Sequence, residues 1–243
     1  MWVWSARAAT FALAVIGWAG AAAAGDLADF NAAVEVAAAH NRVTLGYLRT
    51  GNTDLAAVEL ERLRAAWAQV NQRFAGKRPD AFEGNPLYVV AFTDIAMRLV
   101  TADMMLNSGR GDSARAALGA IRDDLYNLRK SAGIVVLADC VRDANAAMDA
   151  LMVYDDKALD WTKSATRFGI ASKAAVYNYA LDRCDGLAGE ALRKSPELRR
   201  LVDGAKAGLA LIPKAIATRD SDLLHRILIE LRSFDNLLAF RYG

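Results

Sequence analysis

The chain has 243 residues, with 30 Lys and Arg against 28 Asp and Glu, a formal net charge of +2. That balance leaves no strongly basic surface, so nucleic acid is excluded as the expected partner. Only four prolines and an Ala- and Leu-rich composition that is 54% hydrophobic favour helix nearly throughout, in one large domain or two small ones.

At the N-terminus Arg7 precedes an uncharged run from Ala8 to Ala24, which closes in Ala22-Ala23-Ala24 before Gly25. Small side chains at positions −3 and −1 fit a signal peptidase cleft. Residues 1–24 therefore read as a cleavable export signal, which places the protein in the periplasm or outside the cell. The competing reading is a retained anchor, but this run is shorter and richer in Ala than the about 20 apolar residues a span needs. No later uncharged run is as long, so no stable membrane span is expected after cleavage.

Eight helices follow from apolar periodicity and its punctuation, over about 26–49, 54–75, 86–107, 112–131, 136–159, 163–185, 196–217 and 222–240. Leu60, Leu63, Trp67 and Val70 form one stripe, and Leu118, Ile121, Leu125 and Leu128 another. Leu224, Ile227, Leu228, Leu231 and Leu238 form a third. The breaks are made by Thr50–Asp54 and Ser108–Asp112, where Gly ends a helix and Thr or Asp begins the next. Asn85-Pro86 and Ser195-Pro196 each set a capping side chain before a proline in the first turn.

The punctuation recurs at an offset of 110 residues: Pro86 falls on Pro196, Asp112 on Asp222, Leu118 on Leu228, Leu128 on Leu238 and Gly133 on Gly243. No gap is needed. The expectation is an all-α protein of two tandem four-helix up-and-down bundle repeats, over 25–133 and 136–243. A helical solenoid is the lesser alternative.

The offset bears on Cys140 and Cys184, the only cysteines, which fall on Phe30 and Phe74. Residues of an antiparallel hairpin face each other when they are equidistant from its turn. The midpoint of Phe30 and Phe74 is Asn52, and that of Cys140 and Cys184 is Thr162, each at an expected turn. Ring packing is expected in the first repeat and a disulfide in the second, as an oxidising compartment permits. Two reduced core thiols are the alternative.

The segment from Lys194 to Gly243 has a Pro-started third helix, a short charged turn and a last helix with an aromatic and basic tail, and the same layout recurs at 84–133. In this it resembles the exported four-helix bundles of the cytochrome c-prime and soluble b-type cytochrome family. That family implies haem. The attachment motif of the c-prime branch is absent here, since Ser233–Leu238 contains neither Cys nor His. The b-type branch implies a first-helix Met and a His near the end of the last helix. Met148 and Met152 lie in the first helix of the second repeat, but His225 lies at the wrong end of its helix.

No cofactor is therefore expected. The alternative is a haem or copper carrier using His225, Met148 and Met152. His40 and His225 read as partly exposed helix histidines, and the methionines as core. Asp94 reads as the i+4 partner of Arg98. Adjacent pairs such as Asp123-Asp124 and Asp155-Asp156 diverge on a helix, which does not suit acid–base work. Arg110-Gly111-Asp112 reads as a helix connection ending in a cap. The combined reading is a non-enzymatic exported bundle that binds an unknown partner protein or small ligand, with Tyr88 and Trp67 as candidate contacts.

Overall fold

The computed structural model describes residues 19–155 and 158–243. The expected export signal lies mostly outside the described residues, as does Asp156. Among the described residues the protein is all-helical, with no strand. In chain order the helices are α1 (Ala19–Arg49), α2 (Thr53–Phe74), a 3₁₀ turn (Asp80–Phe82), α3 (Leu87–Asn107), α4 (Gly111–Gly119), α5 (Ile121–Ser131), α6 (Leu137–Met152), α7 (Ser164–Leu187), α8 (Glu190–Arg193), α9 (Pro196–Leu209), α10 (Ile212–Thr218) and α11 (Ser221–Tyr242). None of them is long and apolar enough to cross a membrane.

The apolar stripes collect into two clusters. One runs from Phe30 to Leu128 and the other from Cys140 to Leu238. In the first half α1 packs on α2, α2 on α3, α3 on α4 and α5, and α4 back on α1. In the second half the corresponding contacts are α6 with α7, α7 with α9, α9 with α11, and α11 with α6. Positions 110 apart are buried together: Tyr88 with Leu198, Phe92 with Val202, Leu99 with Leu209, Leu118 with Leu228, Leu128 with Leu238. Even the short 3₁₀ turn at Asp80–Phe82 meets its counterpart in α8. The register breaks in the middle of α7, where buried Leu63 falls on exposed Lys173.

Several expected boundaries move. The helix expected over 196–217 divides into α9 and α10. Pro213 has no N–H to donate and its ring crowds the carbonyl four residues back, so the chain turns at Ala210 and Leu211. The helix expected over 112–131 divides at Ala120, next to Gly119, a poor helix former. The helix expected to reach residue 159 stops at Met152. Caps follow chemistry at Ser195 and Asp220, whose side chains accept from the backbone N–H groups of Leu198 and Leu223. At α2 the cap is Asn52 rather than Thr or Asp. Asp112 is not a cap: it sits in the first turn of α4 and pairs with Arg115.

Candidate functional site

The two facing pairs read from the sequence are found where expected. Phe30 and Phe74 meet edge to face, with ring centroids 5.4 Å apart. Cys140 on α6 and Cys184 on α7 have Cα atoms 5.4 Å apart and sulfurs at disulfide distance. Both pairs are buried.

Between the halves lies a cleft of about 770 Å³. One wall is the outer face of α1 with α4 and α5. Asn41 Nδ2 donates to the Leu118 carbonyl, and Leu48 packs against Gly111, so α1 runs antiparallel to α4. The second half supplies the start of α6, the end of α7 and the last turns of α11. Val34, Leu45, Leu125, Leu137, Leu187 and Phe240 give the cleft apolar walls. Its charges are unequal: Arg42, Arg49, Arg115, Arg122 and Arg129 line it against two carboxylates, Glu35 and Asp112. At Gly46 the Phe240 ring approaches so closely that a Cβ would lie 3.1 Å from it, which is how α11 comes down onto α1.

Arg42 and Arg122 converge in this cleft at Gly243. Arg42 Nη1 donates to the Gly243 oxygen at 3.1 Å and Nη2 to Glu35 at 2.6 Å. Arg122 donates through both Nη atoms to Asn145 Oδ1 across the join between the halves. Arg122 Nε, Asn31 Oδ1 and Asn41 Oδ1 are buried without a partner among the described residues, and all three residues line the cleft. The Asn41 amide is oriented by its bond to Leu118, so its free atom is an acceptor. Burial first, and then repulsion by Arg142, lowers the Arg122 pKa. A bidentate pair of Arg129 with Asp139, 2.8 and 2.5 Å long and almost wholly buried, pins the start of α6 to α5.

Behind Arg122 the polar chain continues. Asn145 Nδ2 donates to Asp235 Oδ1 at 2.8 Å, and Arg232 reaches both Asp235 and Asp149. Asp235 is 1% exposed, and burial is the main cause of its raised pKa. Burial first, and then the charge of Asp235, raise the pKa of Tyr177.

Most residues singled out in the sequence lie elsewhere. Met148 is fully buried in the second core and Met152 packs against it. His225 spends Nδ1 on Asp155 Oδ1 at 2.5 Å, as His40 does on Glu59. Among the described residues no cluster of three or more His, Cys, Asp or Glu could hold a metal. Asp94 is not the principal partner of Arg98, which instead grips Asp124 at 2.5 and 3.1 Å. Asp123 pairs with Arg142, so the adjacent carboxylates do point apart. Tyr88 and Trp67 are 1% and 5% exposed and belong to the aromatic core rather than to a contact surface. Met97 and Met104 reverse the core expectation, at 63% and 60% exposed. With Val89, Val90 and Val100 they make an exposed apolar face on α3.

The arginines of the cleft carry no signal in the sequence, because each sits alone in an amphipathic stripe and reads as a solvated charge. Asp235 did carry a signal. It occupies a stripe position between Leu231 and Leu238, and its counterpart is the core residue Leu125. No protein-family model, curated protein or solved structure matches this chain.

Proposed function

We propose that this is an exported, non-enzymatic protein of two tandem four-helix up-and-down units, and that it binds a small ligand in the cleft between them. The cleft carries the reading. It has the volume of a small-molecule site, apolar walls and a few convergent polar groups, and both halves contribute to it. The matched burial at an offset of 110 supports the duplication, and the Cys140–Cys184 pair, taken as a disulfide, supports export. The likeness to cytochrome bundles is then one of architecture. The test is to purify the exported chain from its own compartment, denature it and identify what is released by mass spectrometry. A stoichiometric small molecule, lost in a Gly46→Trp variant that fills the cleft, is expected. Equal and empty spectra from both chains would remove the reading. A Soret band or stoichiometric copper in the purified chain would replace it with the carrier on His225, Met148 and Met152.

A second reading, binding of a partner protein, is favoured by the α3 face. The partner that fits best is a second copy. In an antiparallel α3 pair centred on Ala96, Asp94 of each copy comes level with Arg98 of the other, which keeps Asp124 as its own-chain partner. Small side chains at Thr93 and Ala96 allow close approach. Sedimentation velocity at rising concentration should show a dimer that Val100→Asp abolishes. A monomer at every concentration would sink it.

A further inference from the structure

Resting on the cleft reading, we infer the class of ligand: an amphipathic monoanion, with a carboxylate beside Gly243 on the remaining donors of Arg42 and Arg122 and an apolar chain along the Val34 and Leu125 wall. A guanidinium has five N–H donors. Arg42 uses one on Gly243 and one on Glu35, and Arg122 places two on Asn145. The other donors of both groups have no protein acceptor among the hydrogen bonds of the described residues, and Arg122 Nε is buried in that state. Unpaired buried donors are costly, and a carboxylate is the acceptor whose planar geometry matches a guanidinium. The Glu35 side chain is half exposed, so it can yield its place on Arg42 to an incoming anion without becoming buried and unpaired.

The apolar part follows from the lining. Val34 of α1 and Leu125 of α5 both border the cleft. Leu137 and Leu187 line the cleft from the second half. A small polar acid would leave these walls wet. A neutral amphiphile would cover them and offer the arginine donors a single uncharged acceptor, a weaker partner than a carboxylate. An amphipathic cation would meet Arg49 and Arg122 beside the paired Arg42, Arg115 and Arg129. An anion with an apolar chain answers the arginine donors and the apolar walls, while Asn31 Oδ1 and Asn41 Oδ1 need a donor from elsewhere.

The experiment is calorimetric titration of the exported chain with decanoate below its micelle-forming concentration, beside decanol, decyltrimethylammonium and acetate. Decanoate should bind at least tenfold more tightly than decanol, which corresponds to about 1.4 kcal/mol or more. Acetate and the cation should not bind. Arg42→Gln and Arg122→Gln should each weaken decanoate about tenfold or more and leave decanol unchanged. Arg122 also bridges the halves, so Arg115→Glu is the safeguard. It sits half exposed on α4 at the cleft, and reversing its charge should cost decanoate several-fold without unfolding the chain. Decanol binding as tightly as decanoate, or arginine variants that leave decanoate untouched, would overturn the ligand class and leave the cleft reading standing. If no amphiphile binds, and Gly46→Trp also changes nothing, both fail.

Discussion

The two halves solve one packing problem with different materials. In the first, the space between α1 and α2 is filled by rings. Phe30 meets Phe74, Phe82, Tyr88 and Phe92, and Trp67 packs on Phe92 at 5.2 Å. Tyr88 adds a polar function by donating to the Phe74 carbonyl at the end of α2, and burial pushes its hydroxyl pKa up to about 12. In the second half the equivalent places hold Cys140, Cys184, Leu192, Leu198 and Val202. Less apolar volume is available there, and a covalent link takes the place of the Phe30–Phe74 contact. A buried carboxylate, Asp235, stands where the first half has Leu125. On the proposed duplication, one backbone layout tolerates an aromatic core and a bridged, partly polar core. What it demands is that the same pairs of positions be joined.

The sharpest way to break the comparison is to remove the joint in each half. Phe30→Ala should cost about 3–5 kcal/mol, because the side chain is fully buried among four rings. Chemical unfolding would measure it, and a loss below about 1 kcal/mol would mean that the rings do not hold the first half. Reduction of the Cys140–Cys184 pair should cost the second half about 3–4 kcal/mol, the chain-entropy value for a loop of this length. Hydrogen exchange should show α6 and α7 loosening first while α2 and α3 keep their protection.

Asp235 sharpens the contrast further. Its native pKa is raised, so the native state holds the proton more tightly than the unfolded chain does. The ionised carboxyl therefore costs stability above its native pKa. That cost falls away as pH drops toward the ordinary carboxylate value and is absent below it. Asp235→Asn should raise the thermal midpoint at neutral pH, by less than reduction lowers it, and the gain should vanish in acid. Arg232 keeps Asp149 as a partner in that variant. A gain that is constant with pH would contradict the assignment.

Two smaller contrasts remain. The turns before α4 and before α11 each need a left-handed residue: Gly109 with φ of 72° in the first half, and Arg219 with φ of 56° in the second. Gly109→Ala should therefore cost about 1 kcal/mol, whereas Arg219→Gly should be neutral or gain up to about that much. Smallest of all is the α3 face. Val89, Val90, Met97, Val100 and Met104 correspond to Arg199, Arg200, Ala207, Ala210 and Lys214. A single Val100→Asp change should alter monomer stability by less than about 0.5 kcal/mol, since the side chain is exposed.

Much of this layout was legible because helix punctuation is local chemistry. Ser195-Pro196, the Gly-containing turns and the stripes around Leu118 and Leu228 act within a few residues of themselves. The facing of Phe30 with Phe74 followed from the hairpin they share. The cleft was not legible, because Arg42, Arg122, Asn145 and Gly243 meet only once the halves dock, and no periodicity encodes that. Exposure on α3 was hidden for the opposite reason: apolar residues all round a helix read as a buried one, and only the packing reveals which side is left bare.

The account depends on the second half repeating the register of the first, in a compartment that lets the paired sulfurs close. Counting thiols in the denatured, unreduced exported chain tests this most directly. No free thiol before reduction and two after it are expected. Two free thiols before reduction would contradict the joint between α6 and α7 and remove the support it lends to the proposed export.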